Sequence, residues 1–123
     1  MGDSYCEVCG NSRVELHHIV FRGQASYMRN VKINFKYLCQ EHHRGNESPH
    51  MNSDIDFKYK YELQKELFKL FDKEFYSDDE IKELLGISDK DVIQITKKLR
   101  VYSEGYEKLD ICIRLMGGRL YAK

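Results

Sequence analysis

The sequence has no hydrophobic run near the ~18 residues that a membrane-spanning helix requires, and it lacks the basic-then-apolar start of a secretory leader. Internal repeats and low-complexity linkers are also missing, and the formal net charge is zero. These absences argue against a transmembrane or secreted protein and against a protein that bulk charge alone holds on nucleic acid. We therefore expect a soluble cytoplasmic protein with no membrane partner.

With 123 residues, the chain is long enough for one ordinary domain, or for a small metal-held module with a helical appendage. Hydrophobic residues make up 41% and charged residues 33%, a balance typical of folded proteins. The charge is uneven: residues 13–44 carry six Lys or Arg against two acids, and residues 72–91 carry eight acids against three Lys. A phosphate-binding surface would therefore be local, around the histidines of the first half or at the basic C-terminal end.

The chain has few cysteines, and the spacing of three of them is typical of a metal site rather than of disulfides. Two residues separate Cys6 from Cys9, so both thiolates can turn toward one cation. After twenty-nine further residues, Cys39 and His42 repeat this separation and would share one face of a short helix. We expect a Cys3His site for structural Zn²⁺; the alternatives are a reduced cysteine cluster without metal, or His17 in place of His42.

Two adjacent histidines, His17 and His18, lie in the segment 15–21, which is rich in strand-forming residues. Neighbouring side chains on a strand leave opposite faces of the sheet. The two imidazoles are therefore not expected to serve one ion as equal ligands. One would bind metal, and the other would transfer protons or pack; a purely structural role is the usual alternative for a lone histidine.

The segment 31–38 alternates apolar and polar residues, which predicts a second strand. A polar loop over residues 22–30 joins it to the first. A helix over residues 38–44 would follow, and on it His43 would point about 100° away from His42. His43 would thus be free for a different metal ion.

This order of residues resembles the HNH endonucleases, whose ββα-metal fold holds one divalent cation between a short hairpin and a helix. The Cys-x-x-Cys pair and the Leu-Cys-x-x-His-His-Arg-Gly run are similar to those of HNH nucleases from bacteriophage and prophage genomes, which implies a bacterial host cytoplasm. The resemblance covers about residues 5–50. The residues that carry it are Cys6, Cys9, His17, His18, Asn34, Cys39, His42 and His43.

The resemblance implies a role for each matching residue. His17 and His43 would bind the catalytic cation, and His18 would be the general base that takes a proton from the attacking water. Asn34 would hold the catalytic loop in shape and help to orient the base by hydrogen bonding. Imidazole suits the role of base because its ordinary pKa lies near ~6.5.

The last ligand of the catalytic cation has two candidates. Glu47 lies four residues after His43 and suits an unbroken helix, whereas His50 lies beyond Gly45 and Pro49. Glycine and proline disfavour a continued helix, and a chain that turns back could bring His50 to the ion. We favour His50 and keep Glu47 as the alternative.

The implied activity is hydrolysis of DNA, expected to be double-stranded, to 5′-phosphate and 3′-hydroxyl ends. Arg22, Arg29 and Arg44 would contact phosphates that flank the cut. Imidazole ligands suit transition metals such as Mn²⁺, Ni²⁺ or Zn²⁺ better than Mg²⁺, but the choice among these four ions stays open. The alternatives are a non-catalytic zinc module that binds DNA or protein, and a nuclease that acts on RNA or branched DNA.

Beyond this core the sequence predicts helices, so the expected fold class is α+β: a zinc-braced nuclease core over 1–53 and an all-helical region over 54–123. An apolar stripe predicts a helix over 54–76, and a last helix is expected over 105–116. Capping boxes at Ser77 and Ser88 predict two short helices, which make the segment 77–100 resemble a helix-turn-helix. Its second helix begins with acidic residues, so a supporting or protein-binding role is favoured over DNA contact.

Overall fold

The computed structural model describes residues 4–122 and has the expected α+β composition. Within these residues, four strands form two separate antiparallel sheets, one of β1 with β2 and one of β3 with β4. None of the helices in this range is both long and apolar enough to cross a membrane. The elements in chain order are β1 (Glu15–His18), β2 (Phe35–Leu38), α1 (Gln40–Arg44), α2 (Ser53–Leu70), β3 (Phe75–Tyr76), α3 (Asp78–Leu85), α4 (Asp89–Thr96), β4 (Tyr106–Glu107) and α5 (Lys108–Leu115).

The first sheet is a short hairpin followed directly by a helix. β1 and β2 pair with Glu15 opposite Leu38 and His18 opposite Phe35. Both strands are shorter than the predicted segments 15–21 and 31–38, since β1 ends at His18 and Lys32–Asn34 form a 3-10 turn. The hairpin brings α1 against β1.

Helix α1 has only five residues, and Gly45 follows its last residue, Arg44, as the C-cap. A Cβ on Gly45 would lie 2.4 Å from the carbonyl oxygen of Glu41, so this close turn requires glycine. The carbonyl of Ser48 then accepts hydrogen bonds from the backbone N–H groups of Met51 and Asn52, at 3.2 and 2.8 Å. This compact turn carries His50 back toward α1.

Helix α2 begins at an Asn52 cap, whose side chain accepts hydrogen bonds from the backbone N–H groups of Asp54 and Ile55. Its stripe of buried residues includes Leu63 and Leu67. It ends at Leu70, earlier than the predicted end at 76.

The prediction of an all-helical C-terminal region is wrong, because β3 and β4 pair between Phe75 and Glu107 and between Tyr76 and Tyr106. Phe75 continues the three- and four-residue spacing of the α2 stripe, which is why the sequence predicted helix there. Two-residue strands are too short for the alternation that identifies a strand. Gly105 permits the pairing, since a Cβ there would lie 2.5 Å from the carbonyl oxygen of Tyr76.

Helices α3 and α4 meet at Gly86, which adopts the left-handed conformation with φ 65°. The capping box at Ser77 is confirmed, with hydrogen bonds in both directions between Ser77 and Glu80. Ser88 accepts a hydrogen bond from the backbone N–H of Asp91. The second helix ends at Thr96 rather than 100, and it packs on α5 and on the 3-10 turn Ser26–Met28.

Buried side chains from both halves of the chain belong to one hydrophobic core. Because this core continues across residue 53, the helical region packs directly on the hairpin region. The division into units 1–53 and 54–123 remains a prediction about folding. Fully buried members of the core include Met28, Val31, Leu38, Leu67, Phe71, Ile81, Ile95, Ile111 and Leu115.

Candidate metal centres

Four predicted ligands, Cys6, Cys9, Cys39 and His42, meet beside the start of α1. The Sγ atoms of Cys9 and Cys39 are 3.8 Å apart. Nδ1 of His42 lies 3.5 Å from Sγ of Cys6 and 3.3 Å from Sγ of Cys39. A tetrahedral Zn²⁺ ion with ordinary bond lengths sets sulfur–sulfur and sulfur–nitrogen separations of about 3.8 and about 3.5 Å. The donors match this geometry, and the four residues could hold a zinc ion.

The electrostatics of the thiols also suit a cation. Burial opposes ionisation of Cys6, but hydrogen bonds from backbone N–H groups, including those of Cys39 and Cys9, lower the pKa of Cys6 to about 6. A backbone hydrogen bond from Asn11 lowers the pKa of Cys9, but desolvation and the neighbouring Cys6 and Cys39 thiols raise it above its ordinary value. One thiolate therefore forms readily, and a bound cation would offset the repulsion that opposes the next.

The local backbone explains why this cluster forms. The N–H of Gly10 donates to the carbonyl of Cys6 at 2.8 Å, and Gly10 adopts φ 81°, which closes the turn between the two thiols. The Glu7 carboxylate accepts a hydrogen bond from the backbone N–H of Tyr37 at 2.7 Å. The turn is thus attached to β2 at Tyr37, two residues before Cys39.

A second cluster contains His17 from β1, His43 from α1 and His50 from the turn after α1. One ring nitrogen from each lies within 4.8 Å of the others, and Nε2 of His43 is 3.1 Å from Nε2 of His50. Two imidazole lone pairs at this distance repel unless a proton or a cation lies between them. Tetrahedral ligation by two imidazoles sets a separation of about 3.3 Å, so these nitrogens also fit one metal ion.

Glu15 orients His43 within this cluster. Its Oε1 atom lies 2.7 Å from Nδ1 of His43, and its carboxylate also accepts two hydrogen bonds from Arg44, at 3.0 and 2.7 Å. His43 and Arg44 together hold the pKa of Glu15 below its ordinary value. The ionised carboxylate keeps the proton on Nδ1, so the lone pair of Nε2 is available to a metal.

His17 is 1% exposed, and within the described chain its Nε2 atom has no hydrogen-bond partner. A buried ring nitrogen without a partner is costly unless something absent from the protein itself binds it. Burial and the neighbouring His43 and His50 imidazoles lower the pKa of His17 to about 3. His17 is therefore neutral near pH 7, the form in which imidazole binds metals.

His18 follows His17 on β1, where neighbouring side chains leave opposite faces of the sheet, yet both residues line the same cleft. The cleft has a volume of about 300 Å³ and is lined by His17, His18, His43, His50 and Arg22, among others. Nε2 of His18 is 2.9 Å from the carbonyl oxygen of Arg29. Because a carbonyl only accepts hydrogen bonds, the neutral ring carries its proton on Nε2. Nδ1 is then left with a lone pair that can accept a proton.

Asn34 is fully buried and binds the backbone that follows β1. Its Oδ1 accepts a hydrogen bond from the N–H of Val20 at 2.7 Å, and its Nδ2 donates to the carbonyls of Val20 and Met28 at 3.1 and 3.4 Å. These hydrogen bonds join the backbone after β1 to the carbonyl of Met28 in the loop of residues 22–30. Asn34 was also expected to orient the predicted base, His18, but Nε2 of His18 donates its hydrogen bond to the carbonyl of Arg29 instead.

The alternative ligand and the arginines occupy different environments. Glu47 is exposed on the turn and lies outside the histidine cluster. Arg22 is exposed at the cleft, and Arg29 is exposed on the loop. Arg44 binds Glu15, so its contact with a phosphate would compete with an existing ion pair.

Three further contributors to the histidine cluster, Phe21, Lys60 and Glu15, were not singled out from the sequence. Phe21 stacks on the ring of His50 with centroids 5.1 Å apart, and Nζ of Lys60 in α2 lies 4.2 Å above the ring of Phe21. Glu15, at position i−2 from His17, carries the signal of a shared strand face. Lys60 carries no local signal, since only the packing of α2 brings it there.

Comparisons of this chain with models of protein families, with curated proteins and with solved structures found no match.

Proposed function

We propose that this protein is a metal-dependent endonuclease of the HNH type that hydrolyses DNA phosphodiester bonds. The reaction would use a single divalent ion and a histidine general base, and it would leave 5′-phosphate and 3′-hydroxyl ends. The observation that carries the proposal is the convergence of His17, His43 and His50 in one cleft with His18. Three nitrogen ligands leave a coordination position open, as catalytic metal sites do.

In this proposal His17, His43 and His50 would hold the cation. When bound, the cation would offset negative charge on a phosphate oxygen and on the leaving oxygen. Glu15 fixes the ring of His43 through its Nδ1 proton. The nearly complete burial of His17 excludes water from one side of the site.

The proton transfer falls to His18. The carbonyl of Arg29 holds the proton on Nε2 of His18, so Nδ1 can accept a proton from a water molecule in the cleft. Asn34 fixes the loop that carries this carbonyl through its bond to Met28. A neutral imidazole with a lone pair on Nδ1 can accept this proton.

The proposed partner is double-stranded DNA. Arg22 lines the cleft and is exposed, and Arg29, whose backbone carbonyl binds His18, is exposed on the loop. Residues 13–44 carry a surplus of basic residues, six against two acidic ones. Both features favour phosphate contacts at this site over binding by the electrically neutral chain as a whole.

The test is cleavage of supercoiled plasmid by purified protein with added Mn²⁺, Ni²⁺ or Mg²⁺. We expect nicked or linear product from the wild type, and a loss of about 100-fold or more in rate for His18→Ala, since general-base catalysis contributes about 10²–10⁴-fold. The variant should keep its zinc content and its circular dichroism spectrum.

Equal behaviour of the wild type and His18→Ala would contradict the enzyme proposal and favour a non-catalytic zinc module that binds DNA or protein. End-labelling of the products checks the chemistry, because a 3′-phosphate would exclude the proposed reaction. Parallel assays on RNA and on branched DNA test the substrate class. If RNA or branched DNA is cleaved faster than double-stranded DNA, that nucleic acid is the preferred substrate.

A further inference from the structure

We propose that the C-terminal helices are part of the catalytic apparatus: Tyr27 and Arg114 are positioning residues that hold the loop of residues 22–30, whose Arg29 carbonyl orients His18. The inference rests on the proposed function for its kinetic consequence. Its structural consequence, the proton position on His18, can be measured without any reaction.

Arg114 of α5 joins three parts of the molecule. Its Nε donates to the carbonyl of Ile95 at 3.0 Å, and one terminal nitrogen donates to the carbonyl of Gln94 at 2.8 Å. These carbonyls lie in the last turn of α4, where carbonyl groups lack partners within the helix. The same guanidinium lies 3.5 Å from the centre of the Tyr27 ring. One planar group therefore caps α4 and supports the loop.

Tyr27 completes the link in the opposite direction. Its hydroxyl donates to the backbone carbonyl of Arg114 at 2.6 Å. Burial raises the pKa of Tyr27, so the hydroxyl stays protonated and remains a donor. Tyr27 lies in the middle of the 3-10 turn Ser26–Met28, and the N–H of Arg29 donates to the carbonyl of Ser26 at 3.2 Å. A fixed Tyr27 thus fixes the peptide that presents the Arg29 carbonyl.

Two weaker contacts flank this link, three residues to either side. Gln24 donates to the carbonyl of Gly117 after α5, and Asn30 donates to the carboxylate of Asp91 in α4, both at 3.4 Å. The loop is therefore held by the helical region at its start, middle and end. The acidic first turn of α4, unsuited to DNA phosphates, has an alternative role here as an acceptor for Asn30.

The link from Arg114 through Tyr27 to the loop affects the site because the carbonyl of Arg29 determines the tautomer of His18. His18 makes its hydrogen bond to Arg29, 2.9 Å away, and this bond keeps Nδ1 free of the proton. If the loop shifts, Nε2 loses its acceptor and the ring can change tautomer or rotate. A displacement of about 1 Å in a reacting group can cost about 100-fold in rate.

The experiment compares two loop variants with two matched controls in the same helical region. Arg114→Lys keeps the charge and removes the planar fork, and Arg100→Lys makes the same change at a residue that stacks on Tyr102. Tyr27→Phe removes the hydroxyl contact. Tyr76→Phe removes a hydroxyl that accepts from the backbone N–H of Lys73 at 2.6 Å, away from the loop.

The first readout is the tautomer of His18, from nitrogen-15 spectra of the histidine rings in protein without added catalytic metal. We expect a predominant Nε2–H form in the wild type and both controls, and mixed tautomers in Arg114→Lys and Tyr27→Phe. The second readout is the single-turnover cleavage rate with the Kd for Mn²⁺. The loop variants should lose about tenfold in rate with a Kd within twofold of wild type.

The two readouts separate this inference from the proposed function. An inactive wild type with the expected tautomer pattern would overturn the nuclease proposal and leave the positioning role supported. An active wild type whose loop variants match their controls in tautomer and rate would overturn the positioning role. A Kd for Mn²⁺ that changes as much as the rate would also overturn it, because the effect would then lie in metal binding.

Discussion

The two candidate metal centres differ in completeness although they share helix α1. The cluster of Cys6, Cys9, Cys39 and His42 supplies four donors with tetrahedral spacing, which leaves no position for a substrate. The cluster of His17, His43 and His50 supplies three donors at a cleft. The adjacent residues His42 and His43 belong to a closed donor set and to an open one, because successive helix positions point about 100° apart.

The largest effect is expected from the removal of one donor from the cluster of Cys6, Cys9, Cys39 and His42. Cys39→Ser should abolish zinc binding and cooperative unfolding, because structural zinc contributes an apparent ~10–16 kcal/mol in small zinc domains. Zinc content by elemental analysis and thermal unfolding by circular dichroism would measure this. Cys112→Ala is the matched control, since Cys112 is buried in α5 outside both clusters. It should keep the zinc and lose roughly 1–2 kcal/mol of stability. A Cys39→Ser protein with full zinc content would contradict the assignment.

One pair of variants tests whether the adjacent residues His42 and His43 bind different metal ions. His43→Ala should weaken Mn²⁺ binding at the histidine cluster by about 100-fold or more while zinc is retained, because one of three ligands is lost. His42→Cys should keep both metals, since a thiolate can replace imidazole in a structural zinc site. Calorimetric titration of the zinc-loaded proteins measures both. If the two variants bind Mn²⁺ with similar affinity, His42 and His43 do not belong to different metal sites.

A smaller effect is expected from the carboxylate that orients His43. Glu15→Gln should weaken Mn²⁺ binding by about 10- to 100-fold, the usual cost of losing such a partner, with zinc content unchanged. Glu41→Gln removes a similar charge from the exposed side of α1 and should bind Mn²⁺ like the wild type. If both variants bind Mn²⁺ within twofold of the wild type, Glu15 does not orient a ligand.

The smallest effect is expected on the free energy of unfolding as the pH falls, through His17. His17 has a pKa of about 3 in the fold and ~6.5 when unfolded, so the unfolded chain takes up the proton first. Its contribution to stability is complete above about pH 6.5 and is lost as the pH falls toward 3. Between pH 7 and 5.5 the wild type should lose about 1 kcal/mol more than His17→Gln. Urea unfolding of zinc-loaded protein measures this. Parallel losses would mean that the imidazole of His17 is solvated in the fold.

Much of the site could be predicted because its residues are close in sequence or follow helix and strand periodicity. The ligand sets rested on the Cys-x-x-Cys spacing, the 100° step between His42 and His43, and the breaks at Gly45 and Pro49 that favoured His50 over Glu47. The hydrogen bond from His18 to the Arg29 carbonyl could not be predicted, because it depends on the path of a loop. The β3–β4 pairing was missed because two residues carry no periodicity.

The sequence alone determined the donor types, their spacing and the order of the first hairpin and its helix, because these follow from chain geometry over a few residues. Only the tertiary structure decided that Glu15 binds His43, that Lys60 and Phe21 support His50, and that Arg114 and Tyr27 support the loop beside His18. The residues in contact are far apart in the chain, from 28 positions for Glu15 and His43 to 87 positions for Tyr27 and Arg114. Such pairs form because the helices pack on the hairpin in one shared core, and packing at that range leaves no mark in local sequence.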